Sequence, residues 1–111
     1  MPRRSDLVLL PFPFSDLSSA KRRPVLVLRN PNRQGDFLAA QVTSQLHHQP
    51  AVPLADDHLK LGMLPKTSIV RTDKVFTLSA SLIVRRIGVL SEPAFDRVLR
   101  AVCLELGCKI R

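Results

Sequence analysis

Two apolar, strand-like runs flanking one compact turn constrain this chain more than any other feature. Lys21-Arg22-Arg23-Pro24-Val25-Leu26-Val27-Leu28 precedes the stretch Asn30-Pro31-Asn32-Arg33-Gln34-Gly35. Phe37-Leu38-Ala39-Ala40-Gln41-Val42 follows it and ends in Thr43-Ser44-Gln45. Both runs have strand composition, and the Asn, Pro and Gly between them are turn formers. An antiparallel pairing centred on Arg33 sets Arg23 opposite Thr43, each ten residues from the centre. Directly opposed β-carbons lie about 4.5–5.5 Å apart. A guanidinium and a hydroxyl then share one spot at the strand ends, a plausible place to handle a phosphate. A bulge in either strand shifts the count by one and turns Ser44 towards Arg23 instead.

The remaining segments extend this hairpin into a sheet. Leu7 to Phe14 reads as a first strand whose far half is weakened by Pro11 and Pro13, because proline gives no donor to a ladder. Ser15 to Arg22 is a polar connection. Gln45 to Pro65 reads as loop around a short strand at 51–54. Ser68–Arg71 and Lys74–Leu78 form a further strand or a bent pair, Ser79–Leu82 one helical turn, and Ile83–Leu90 another strand with a bulge expected at Gly88. Ser91 then caps a helix, with Glu92 at its positive end and Pro93 in its first turn. Phe95, Val98, Leu99, Val102 and Leu106 repeat at helical spacing, and Gly107 stands where a C-terminal cap belongs. At least five short strands and one terminal amphipathic helix make an α+β chain, mostly β. Its expected shape is a small, strongly curved antiparallel barrel with the helix packed on it. At 111 residues it is read as one domain spanning 1–111.

Charge narrows the partners. Seventeen Lys and Arg against nine Asp and Glu give a net charge of +8. In the first 35 positions Arg3, Arg4, Lys21, Arg22, Arg23, Arg29 and Arg33 face only Asp6 and Asp16. The bland reading is a solvated face. Clustering on this scale favours a polyanion: nucleic acid, an acidic membrane surface or an acidic protein. No apolar run approaches the ~20 residues of a membrane span, and no signal peptide is read at the start, so no membrane partner is expected. Cys103 and Cys108 on one helix would stand about 7.5 Å apart along its axis, beyond the usual disulfide limit of about 7 Å. Two reduced thiols in a cytoplasmic protein follow as the simplest expectation.

At this point the residues resemble a family. Asp6-Leu7-Val8-Leu9-Leu10-Pro11-Phe12-Pro13-Phe14-Ser15-Asp16-Leu17-Ser18 is similar to the opening of PemK/MazF toxin endoribonucleases. Arg22-Arg23-Pro24-Val25-Leu26-Val27 resembles their second strand, and Val42-Thr43-Ser44-Gln45 their Thr-Ser strand end. Gly62 to Arg71, Asp73 to Leu78, and Ile87-Gly88-Val89-Leu90-Ser91 continue the likeness in order. Ser5 departs from it, standing where the family usually has glycine. The resemblance implies an SH3-like barrel that forms a homodimer and cuts single-stranded RNA at short sequences. It also implies a co-encoded antitoxin, expected to be acidic, that blocks the RNA groove, and neither a metal nor another cofactor. In that family the arginine and threonine matching Arg23 and Thr43 are regarded as catalytic. Some members are thought to use an arginine and aspartate matching Arg71 and Asp73 as acid and base.

The residue types suit such chemistry independently. RNA cleavage by the ribose 2′-hydroxyl needs that group deprotonated and the charge on the phosphorane stabilised. Arginine offers five donors in a fork that matches phosphate and stays charged, and donors aimed at developing charge usually supply the largest catalytic term. Arg23 fits that role, while Thr43 and Ser44 offer hydroxyls to orient the phosphate. Arg71 and Asp73, two apart on a strand, project from one face and can pair. Their bland reading is a surface ion pair worth under about 1 kcal/mol, and an aspartate base has an unperturbed pKa near 3.9. Lys21, Arg22, Ser44, Gln45, His47 and Lys66 are the expected RNA contacts, with Arg85 or Arg86 at the groove. One of His47 and His48 is a candidate proton carrier. In extended chain these two histidines would point to opposite sides and form no chelating pair. His58 with Asp56 and Asp57 lacks a further metal ligand at recognisable spacing and reads as a solvated loop. Stacking platforms are scarce: Phe12, Phe14 and Phe76 are candidates, while Phe37 and Phe95 are assigned to packing.

Two other functions remain open on the same barrel. One is a toxin that binds a protein target such as DNA gyrase, and the other is a non-catalytic RNA-binding barrel. The Arg23/Thr43 register favours the nuclease over both.

Overall fold

A computed structural model of the chain describes residues 2–11 and 21–109. Seven antiparallel strands make one sheet. They are β1 (Asp6–Pro11), β2 (Arg22–Arg29), β3 (Asp36–Thr43), β4 (Ala51–Leu54), β5 (Leu59–Gly62), β6 (Ser68–Ser79) and β7 (Arg85–Leu90). The order across the sheet is β4-β6-β3-β2-β1-β7-β5. Short 3-10 turns at Asp56–His58 and Ala80–Leu82 join elements, and helix α1 (Glu92–Glu105) follows β7. The curled sheet with one terminal helix matches the expected mostly-β α+β fold. Among the described residues no helix is long and apolar enough to cross a membrane.

Alternation along the strands sorts the apolar side chains into two layers. Leu7, Leu26, Leu28, Ala40, Val42, Val70 and Leu90 pack with Phe95, Val98 and Val102 of α1. Val8, Leu10, Val25, Val27, Phe37, Ala39 and Leu78 pack on the opposite face. Phe37 and Phe95 are core residues, as expected, while Phe76 is half-buried against the second layer. Phe12 and Phe14 lie outside the described residues.

The hairpin arithmetic holds. Val25 faces Gln41, Leu26 faces Ala40 and Val27 faces Ala39, all centred on Arg33. The one irregularity falls beyond Val27, where Arg29 faces Leu38 and Leu28 is extra. It lies at the turn end; at the other end the pairing runs as far as Val25–Gln41, two residues short of Arg23 and Thr43. Of the two readings of 68–78, a further strand or a bent pair, the structure has the single strand, with a large bulge in it. On β3, Ala40 and Gln41 are adjacent, yet on β6 they face Val75 and Arg71, so Thr72, Asp73 and Lys74 are extra. A second bulge lies between β1 and β7 at Ile87, beside the Gly88 expected to carry it.

Several expectations need correction. β5 was not expected. Its Leu59-Lys60-Leu61-Gly62 sequence has no alternating core face, and Leu61 is exposed. Leu106 does not extend the buried stripe of α1: it is the C-cap residue and 72% exposed. Gly107, at φ +82°, ends the helix. The N–H of Cys108 then returns to the Cys103 carbonyl at 2.8 Å, and that of Gly107 to Leu104 at 3.1 Å. This is the Schellman arrangement. Cys108 is therefore not on the helix axis. Both cysteines are free thiols, and the hydrogen bond that the Cys103 thiol donates to the Cys108 side chain pushes its pKa up. Ser5 has φ +79°, which accounts for glycine at this turn in the resembling sequences.

Candidate active site

Three neighbouring strands bring Arg23, Thr43 and Arg71 to one face of the sheet. Val25 and Ala39 belong to the layer facing away from α1. By two-residue alternation Arg23, Gln41 and Thr43 point the same way. Arg71 is the ladder partner of Gln41, and Ile69 that of Thr43, so both β6 residues share this face. The ladder of β2 with β3 ends at Val25–Gln41. Beyond it Arg23 pairs with Leu10 of β1 and Thr43 with Ile69 of β6, and continuing the β2–β3 register by two residues sets Arg23 level with Thr43. Strand spacing of about 4.8 Å and a rise of about 3.4 Å per residue then separate the Arg23 and Arg71 β-carbons by about 12 Å. Two long side chains can span such a gap, and Arg23, Thr43 and Arg71 share one face of the sheet.

The arginines share an unusual feature. Among the described residues, the buried side-chain nitrogen and oxygen atoms without a hydrogen-bond partner are Nε of Arg23 and Nε of Arg71. A buried N–H left unpaired costs about 1–3 kcal/mol, so such donors call for an explanation. Nη2 of Arg71 reaches Oδ2 of Asp73 at 3.4 Å, with the Arg71 side chain only 15% exposed. The expected pair thus exists, with Asp73 inside the bulge at 72–74. Thr43 is buried, and its hydroxyl accepts the Gln45 N–H at 3.1 Å.

The β3–β4 connection departs from the extended chain expected of it. Residues 44–50 leave the strand, turning at Leu46–His47, and the His47 and His48 rings lie side by side with centroids 4.2 Å apart. Oε1 of Gln45 holds Nε2 of His48 at 3.1 Å. His48, which sequence reasoning paired with His47 without ranking it first, is the ring that senses the arginine site. Burial, then the charges of Arg71 and His47, lower its pKa from 6.5; Asp73 opposes them and Lys74 adds to them.

The remaining residues are distributed less tightly. Lys21, Arg22, Ser44, Gln45 and His47 are exposed around the strand ends. Lys66 is exposed just before β6, off the end of the sheet where Thr43 lies. It lines a groove of about 570 Å³ with Pro53, Asp56, Leu64 and Thr67. Arg86 instead faces the buried Asp6 at 3.8 Å, and both line a cavity of about 390 Å³. His58 serves its own turn: Nδ1 accepts the Ala55 N–H at 3.0 Å. No group of three or more His, Cys, Asp or Glu suited to a metal occurs among the described residues.

A family model described as PemK-like, MazF-like toxin of type II toxin–antitoxin system matches residues 3–106. No curated protein matches the chain. Solved structures do. An endoribonuclease in complex with its cognate antitoxin, from a mycobacterial species, superposes with a TM-score of 0.76. It is 17% identical, over 99% of this chain and 97% of that one. MazF in its MazE–MazF complex from Deinococcus radiodurans gives 0.78 at 23% identity, over 97% and 98% of the two chains. MazF alone from that organism gives 0.75 at 26% identity, over 96% of each.

Proposed function

Because the chain belongs to the PemK-like, MazF-like toxin family of type II toxin–antitoxin systems, we propose that it is an endoribonuclease of single-stranded RNA. On this reading residues 1–111 form one toxin domain in the cytoplasm, a homodimer whose RNA groove an acidic antitoxin fills. The observation that carries the enzymatic part is the pair of buried, unpartnered Nε donors around Thr43. A scissile phosphate lying over Thr43 receives an N–H from Arg23 and another from Arg71. The Thr43 hydroxyl orients one oxygen. As the 2′-oxygen attacks, charge grows on the non-bridging oxygens, and the two fixed guanidiniums stabilise it without reorganising. Asp73 acts by holding Arg71 in place. Lys21, Arg22, Ser44, Gln45, His47 and Lys66 grip the flanking backbone.

The products are a 2′,3′-cyclic phosphate and a 5′-hydroxyl, formed without a metal. Incubating the protein with mixed-sequence RNA in EDTA tests this, followed by end-group analysis and a substrate carrying 2′-deoxyribose at the scissile nucleotide. Cutting that stops at the deoxy position and persists in EDTA is expected. Unimpaired cutting of the deoxy substrate, or loss of all activity in EDTA, overturns the reading.

A further inference from the structure

The arginines and Thr43 leave one requirement unmet, an acceptor for the 2′-hydroxyl proton. Asp73 suits it poorly, since its carboxylate is committed to Arg71 at 3.4 Å and carboxylates are weak bases at neutral pH. The β3–β4 loop supplies a better group. His48 lines a groove of about 340 Å³ with Leu46, Pro50, Ala51, Pro53 and Ile69. Ile69 is the ladder partner of both Thr43 and Pro53, and Ala51 that of Arg71. The groove floor is therefore the immediate neighbourhood of the proposed phosphate site. Two bonds fix the ring above it: Gln45 N–H to the Thr43 hydroxyl, and His48 Nε2 to Gln45 Oε1. With Oε1 as acceptor, Nε2 carries the proton and Nδ1 keeps its lone pair.

Resting on the nuclease reading, we propose that His48 is the general base of the cleavage, with Gln45 as its positioning residue. Nδ1 takes the proton of the 2′-hydroxyl. The 2′-oxygen forms its bond to phosphorus, the bond from phosphorus to the 5′-oxygen breaks, and the leaving oxygen takes a proton from water. The imidazolium then returns its proton to solvent. The groups facing His48 are His47 and Gln45 on its own loop and Arg71, Asp73 and Lys74 on β6; Ala51 and Pro53 on β4 bring no charge. Burial first, then Arg71, His47 and Lys74 against Asp73, lower the ring's pKa and so favour the neutral form, which accepts a proton.

His48→Gln and His48→Ala, assayed on RNA from pH 5 to 9 with affinity measured in parallel, test the proposal. Both should cut about 10²- to 10⁴-fold more slowly than wild type, with RNA affinity within about threefold given the many remaining cations. The acid limb of kcat/KM, below pH 6.5 in wild type, should vanish in both. Added imidazole should restore part of the rate to His48→Ala and none to His48→Gln, whose side chain still fills the site. Gln45→Ala should move the acid limb as well as lower the rate. Variants that keep the wild-type rate and acid limb, or whose rate loss equals their affinity loss, overturn the proposal while wild-type cleavage stands. Wild-type protein that cuts no RNA overturns the nuclease reading itself.

Discussion

Replacing either arginine of the site by lysine separates charge from geometry. Lysine keeps the positive charge but has no Nε–H and no planar fork. In this protein Nε is the donor that is buried without a partner in both Arg23 and Arg71. Losing one charge-assisted hydrogen bond costs about 1.5–3 kcal/mol. At about 1.36 kcal/mol per tenfold, each single lysine variant should lose about 10- to 150-fold in kcat/KM. The β-carbons stand about 12 Å apart by strand geometry, close enough for both forks to meet one phosphate. The double variant should then fall short of the product of the singles, by a coupling of about 0.5–3 kcal/mol. Steady-state cleavage of a short labelled RNA by wild type, both singles and the double gives all four corners. Lysine variants within threefold of wild type refute a role for the Nε donors. Losses that multiply strictly refute a shared phosphate. The same burial predicts a gain in stability: Arg23→Met removes the unpaired N–H while keeping the stem volume. It should raise Tm by about 4 °C, equivalent to about 1 kcal/mol in a domain of this size.

Thr43→Ser should keep activity within about threefold, whereas Thr43→Val, which removes the hydroxyl that Gln45 N–H donates to, should lose about 10²-fold on the same assay. Ser5→Gly should stabilise the fold by about 0.5–1 kcal/mol in urea denaturation, because Ser5 holds φ +79°. Gly62→Ala should cost about 2 kcal/mol or more on the same measurement. Its φ is +80° and an added Cβ would meet the Ile87 carbonyl and the Gly88 backbone. Stability should also rise with pH in the window just below 6.5, because the unfolded His48 binds a proton there that the folded ring, with its lowered pKa, does not. His48→Gln should flatten that slope in pH-dependent melts.

How much was legible differs by element. The β2–β3 pairing was readable because a tight turn between two apolar runs leaves few registers, and a one-residue slip would exchange side chains between the two packed layers. Val25 facing Gln41 is the count the chain itself implies. The helix was readable because Ser91, Pro93 and Gly107 are local signals that act through their own backbone. Arg23 and Thr43 were found by the same register logic. Other features depend on partners distant in sequence. β5 exists only because β7 offers an edge to Leu59–Gly62; nothing in Leu59-Lys60-Leu61-Gly62 demands a strand. The three-residue bulge at 72–74 is set by β3 pairing on both sides of it. His47 and His48 were placed on opposite sides by the geometry of an extended chain, while the bonds through Thr43 and Gln45 fold that chain into a turn. Local composition thus specified which elements form and which residues lie at their ends. Bringing Arg71 and Asp73 onto the face that carries Arg23 and Thr43 required β6 to lie beside β3, a long-range pairing that no local signal encodes.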